Sequence, residues 1–126
     1  MGAASFVQYA RRNQFPTGMT ERVERQYGRM VRVMEQAYGP WPDAKTAMEY
    51  LADDDRIENG HHPEGVGGKY DMVHIATVAD QAAAEDLADE LLTKGDRRIL
   101  DKRGPAGCIT IETGDVQFLF FGFVAT

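Results

Sequence analysis

The stretch Gly107 to Thr126, GCITIETGDVQFLFFGFVAT, decides the fold class. Cys108 to Glu112 is rich in β-branched residues, Thr113-Gly114-Asp115 supplies turn chemistry, and Val116 to Ala125 is a second β-prone run. Two such runs about a short glycine-containing turn predict an antiparallel hairpin. Alternate residues of a strand point to opposite faces. Val116, Phe118, Phe120 and Val124 therefore fall on one side, and Leu119, Phe121, Phe123 and Ala125 on the other. A strand with one wet face alternates apolar and polar residues, and beyond Gln117 this one does not. It is expected to be covered on both sides, by helices on one and by another helix or a second subunit on the other. The second option makes Phe118, Leu119, Phe120, Phe121 and Phe123 a candidate oligomer interface.

Working outward, 126 residues suit one domain with one hydrophobic core, 1–126. The single cysteine, Cys108, excludes an internal disulfide framework and a cysteine-cluster zinc site. Its place in a strand fits a buried small hydrophobe. A signal-peptide core and a run of transmembrane length are both missing, so the expectation is a cytoplasmic protein without a membrane partner.

Met1 to Ala10 reads as a first strand. Thr20 caps an expected helix to about Tyr38, because Val23, Tyr27, Met30 and Met34 follow a helical spacing. Pro42-Asp43 starts a second helix that fades at Asp53-Asp54-Asp55. Residues 56–69 lack periodicity. Tyr70 or Asp71 to Val78 reads as a strand, and Asp80 caps a third helix that Gly95 ends. The predicted architecture is α+β: three helices on a mainly antiparallel or mixed sheet of about four strands, in the order β-α-α-β-α-β-β, with a C-terminal hairpin.

The segments MGAASF, DKRGPAGCI and FLFFGFVAT together resemble small uncharacterised proteins of actinobacteria and their phages. The resemblance covers about a third of the chain, leaves residues 40–70 unmatched and carries no catalytic residue. It implies a phage or mobile-element accessory protein.

Three constellations could carry chemistry. The net charge of −6 hides an asymmetry: residues 1–32 hold six arginines against two acids, and the remainder holds eight bases against eighteen acids. Arg22, Arg25, Arg29 and Arg32, spaced i, i+3, i+7 and i+10, would form one stripe on a helix, extended by Arg11 and Arg12. Guanidinium forks suit phosphates and carboxylates, so the stripe is a candidate surface for an anion or acidic partner; the plain alternative is a solvated face pairing locally. The acidic total argues against generic nucleic-acid binding. The loop ENGHHPEGVGGKYD offers His61, His62 and Glu64 as candidate metal ligands, without the i, i+4 spacing of a helical zinc motif and without a phosphate-loop pattern. Cys108 and His74 lie on predicted strands and could form a thiol–imidazole pair, but no third orienting residue accompanies them.

The sequence thus implies a non-enzymatic protein that binds, inhibits or sequesters a host factor, either an acidic protein surface or a phosphate-bearing small molecule. It calls for no cofactor and predicts a homo-oligomer. The alternatives are a small metal-assisted hydrolase of a phosphorylated substrate and a structural virion component.

Overall fold

The computed structural model describes residues 2–60 and 65–125. The fold is α+β, with eight principal elements: β1 (Ala3–Arg11), β2 (Phe15–Gln26), β3 (Arg29–Gly39), α1 (Ala44–Asn59), β4 (Met72–Val78), α2 (Gln81–Lys94), β5 (Ala106–Ile111) and β6 (Val116–Ala125). A short 3-10 turn, Val66–Gly68, precedes β4. Four strands form a mixed sheet in the order β1-β6-β5-β4. β6 runs antiparallel to both its neighbours, and β4 lies parallel to β5 at the edge.

The C-terminal hairpin forms as its sequence predicts, with Gly107 opposite Phe121 and Thr110 opposite Phe118. Both faces of β6 are covered within the chain. On one face, Met48, Leu51 and Ala52 of α1 and Trp41 meet Phe118, Phe120 and Val124. On the other, Ala84, Ala88 and Leu91 of α2 meet Leu119, Phe121, Ile109 and Ile111. This corrects the assignment of the aromatic run to an oligomer interface. Phe118, Leu119, Phe120 and Phe121 are buried core, and Phe123 is half-buried against the α2 layer. Each fully buried ring or leucine contributes about 1.5–3 kcal/mol, so the run serves the domain's own stability.

The helices start where their caps dictate. The Asp43 carboxylate accepts from Thr46 N at 2.7 Å, and the Asp80 carboxylate accepts from Ala83 N at 2.9 Å. α1 does not fade at the aspartate triplet. It continues to Asn59, because Asp55 turns inward and is bonded there. No helix among the described residues is long and apolar enough to cross a membrane.

The larger correction concerns residues 15–39. Where a helix is expected from Thr20 to Tyr38, β2 and β3 form a separate antiparallel ribbon. The described residues form two principal helices, not three, and the element order is β-β-β-α-β-α-β-β. The physical reason lies in Tyr27-Gly28. Both residues have positive φ, 50° and 80°, which closes a two-residue hairpin turn between Gln26 and Arg29. In a helix interior that glycine would cost about 1 kcal/mol relative to alanine. The spacing of Met30 and Met34 is even, so it satisfies a strand face as well as a helix face. Val23 lies on that same face because it is paired with Arg32. Val31 and Val33, β-branched and alternating with Arg32, complete the strand.

Candidate functional site

The ribbon is an arm. Its strands pair along their length and touch almost nothing else in the domain. With 12 residues in β2, at about 3.3 Å per residue, it is about 40 Å long. Its root is fixed: the Phe15 ring lies 5.4 Å from that of Trp41, which lies 5.2 Å from Tyr50 on α1. The side chain of Gln117 brackets the Trp41 backbone, accepting from its N–H at 2.8 Å and donating to its C=O at 3.0 Å. Beyond this root nearly every arm residue is exposed.

Residues paired across the ribbon share a face, so the register sorts the side chains. One face carries Met19, Val23, Met30 and Met34, interleaved with Glu21, Arg25, Arg32 and Gln36. Met30 is 66% exposed and Met34 57%, and Tyr27 at the tip is 93% exposed. The large apolar side chains of this face alternate with charged and amide ones, and methionine is a flexible, shape-adaptable side chain.

The four arginines predicted on one helical stripe therefore occupy two strands. Arg22 bridges Glu24 at 2.9 Å and Glu35 at 2.8 Å, and Arg32 meets Glu21 at 2.5 Å. Such exposed pairs contribute at most about 1 kcal/mol each and hold the ribbon's register. Arg25 and Arg29 make no ion pair among the described residues and flank the exposed Tyr27. From Arg22 to Arg32 there are four arginines against Glu24 alone. Arg11 and Arg12 do not extend the row. Arg11 bridges Asp115 at 2.6 Å, and Arg12 donates to the carbonyls of Gly114, at 2.7 Å, and Ile111. Both close the β5–β6 turn onto the end of β1.

A second feature is a cleft of about 470 Å³ between α1 and the start of β4. Met48, Ala52 and Met72 line it, with Arg56, Lys69 and Tyr70. Lys45, Glu49, Asp53 and Asp71 also line it, and two of its three cations, Arg56 and Lys69, are engaged. Arg56 Nε donates to Gly67 O at 2.9 Å, its second nitrogen donates to Lys69 O at 3.2 Å, and its guanidinium stacks 4.9 Å from the Tyr70 ring centre. Lys69 is buried. Its Nζ donates to the carbonyls of Asp101 and Lys102, both at 3.2 Å, and burial draws its pKa down against the opposing pull of Asp101. Neither Arg56 nor Lys69 is presented to a phosphate, and the exposed Tyr70 ring with Met48, Ala52 and Met72 gives the cleft an apolar floor between charged walls.

The loop before the cleft is pinned from beneath. The Asp55 carboxylate accepts from Gly65 N at 3.1 Å, Gly67 N at 2.9 Å and Asn59 Nδ2 at 2.6 Å, and Gln8 Oε1 accepts from Val66 N at 3.2 Å. The candidate metal ligands His61, His62 and Glu64 lie outside the described residues. Among the described residues no three His, Cys, Asp or Glu side chains cluster as metal ligands would.

The thiol–imidazole pair does not form. His74 lies opposite Cys108 in the register, but its Nε2 meets Thr110 Oγ1 at 3.2 Å. Cys108 is fully buried, and desolvation pushes its thiol up to about 12, far from a nucleophile's range.

The arm escaped the sequence reading, although Tyr27-Gly28 between two β-prone runs was the available signal. No family model, curated protein or solved structure matches the chain.

Proposed function

We propose that this is a cytoplasmic, non-enzymatic binding protein whose hairpin arm is the binding element and whose partner is an acidic protein surface. The observation that carries the reading is the arm itself: a ribbon about 40 Å long, unsupported beyond its root, with a methionine row on one face and unpaired Arg25 and Arg29 at its tip. An isolated two-stranded hairpin is marginally stable in water, so a ribbon of this length gains order from what it docks on. Apolar side chains interleaved with arginine match a protein patch that is apolar at its centre and acidic at its rim. A duplex nucleic acid is the poorer match on charge, since residues 40–126 hold seventeen acids against eight bases and the arm itself sets Glu21, Glu24 and Glu35 among its arginines. The phage-like resemblance agrees with an accessory protein that occupies or sequesters a host factor by this contact.

The test places a photo-crosslinking amino acid at Tyr27 of the full chain, and in a control at exposed Thr93 of α2, followed by identification of the products formed in cells. Acidic proteins joined at Tyr27, absent at Thr93, and lost when Arg25→Glu and Arg29→Glu are introduced are the expected result. Crosslinks to nucleic acid, or protein crosslinks indifferent to the charge reversal, would overturn it.

A further inference from the structure

Resting on that reading of the arm, we infer that one acidic surface it docks on belongs to a second copy of this chain: the outward face of α1 and the cleft beside it. Four observations converge on this occupant.

The first is charge. The exposed side of α1 presents Glu49, Asp53, Asp54 and Glu58 against the one exposed cation Lys45, a net sign opposite to the arginine-rich half of the arm. The second is apolar matching. Ile57, 82% exposed, stands on that face; Tyr70, 90% exposed, lines the cleft beside it, together with Met48, Ala52 and Met72. The α2 surface is as acidic, with Glu85, Asp86, Asp89 and Glu90, but has no large exposed apolar side chain among its described residues. The arm's methionine row therefore finds its counterpart on α1 alone of the two helices.

The third is reach. A body of about 100 residues has a radius of gyration of about 13 Å, so it is about 33 Å across. An arm of about 40 Å spans it. The fourth is closure. In a two-fold dimer each chain gives its arm and receives the other's, so donor and acceptor surfaces must lie side by side on one chain. They do: the arm root at Phe15 contacts Trp41, which contacts Tyr50 of the acceptor helix. The resulting assembly is a reciprocal arm exchange that covers both ribbons. A foreign acidic partner would compete for the same arm.

The closing experiment is a charge swap read by sedimentation velocity on the full chain. One variant carries Arg25→Glu and Arg29→Glu, a second carries Glu49→Lys and Asp54→Lys, and a control carries Asp86→Lys and Asp89→Lys on α2. The wild type and the control are expected to sediment as dimers. Each of the first two variants alone is expected to dissociate, its dimer constant weakened about tenfold or more. Mixed one to one, they are expected to recover the dimer, because the acidic arm then meets the basic face while the unaltered arm meets the unaltered face. Circular dichroism and unfolding of each variant confirm that a monomer is a folded one. A wild type that stays monomeric, or a dimer indifferent to both reversals, or a mixture that fails to re-form it, overturns the inference. Tyr27 crosslinks to foreign proteins that persist in such a case leave the arm's binding role standing, and their loss removes both.

Discussion

Replacing Gly107 with alanine asks whether the aromatic strand belongs to the core. A Cβ built at Gly107 would lie 2.6 Å and 2.7 Å from two ring carbons of Phe121 and 2.9 Å from Ile99 Cγ2, against an ordinary contact of 3.4 Å or more. The ring must retreat by most of an ångström, yet Phe121 and Ile99 are both fully buried, and protein interiors are close-packed. Overpacking of this kind costs about 1–3 kcal/mol. The alanine returns about 0.5–1 kcal/mol by restricting the unfolded chain. The expected net loss is therefore about 1–2 kcal/mol, read as a fall in the urea midpoint at unchanged slope. Phe121→Leu removes the clashing ring carbons and by itself costs about 1–2 kcal/mol. Because the two changes share one contact, the double variant should lose less than the sum, with a coupling of about 1 kcal/mol. A midpoint for Gly107→Ala at or above wild type, or strict additivity with Phe121→Leu, would refute the placement of Phe121 under α2.

Asp55→Ala strands the Gly65 and Gly67 amides, both buried; at about 1–3 kcal/mol per unpaired donor the loss should reach about 2–6 kcal/mol in urea unfolding. Asp55→Asn, which keeps one acceptor oxygen, should fall between; a shift below about 0.5 kcal/mol for the alanine would deny the clamp its role. Cys108 has its folded pKa pushed up to about 12 from an ordinary value near 9, so between those values the unfolded chain releases the proton first. The stability of wild type relative to Cys108→Ala should hold below pH 9 and decline as pH rises above it, and a thiol reagent at pH 8 should label only the unfolded chain. A flat difference across that window, or rapid labelling of the native protein, would contradict the burial.

The parts of the fold that local chemistry dictates were legible. Asp80, the alanine-leucine stripe and Gly95 mark α2 unambiguously, and the two apolar runs about Thr113-Gly114-Asp115 mark the C-terminal hairpin. The expectation that β6 is covered on both faces also holds, with α1 and α2 each taking one side. The arm was not legible by periodicity, since residues four apart share a face in a strand as in a helix, and a turn placed between Tyr27 and Gly28 carries Val23 back beside Arg32. A ribbon without a buried face lacks the apolar-in, polar-out alternation by which strands are recognised. The arginines were singled out by charge and by a helical spacing; the spacing has no meaning on a ribbon, but the charge survives the change of secondary structure. Their division into the paired Arg22 and Arg32 and the unpaired Arg25 and Arg29 depends on which glutamates the opposite strand supplies. The Lys69 contacts join segments far apart in sequence, and the Asp55 contacts fold back within a stretch that has no periodicity, so neither left a local trace.

Trp41 is the chain's single tryptophan, and it stands at the joint between arm and body. It is 3% exposed, wedged between Phe15 and Tyr50, and its indole N–H is the buried side-chain polar atom without a hydrogen-bond partner among the described residues. The protein thereby contains its own optical gauge. A dry indole lacking a polar contact emits toward the blue, and any pivot of the ribbon that lets solvent or a new acceptor reach the ring displaces that emission without an added label. Arm movement can be followed in real time by the fluorescence of one native residue.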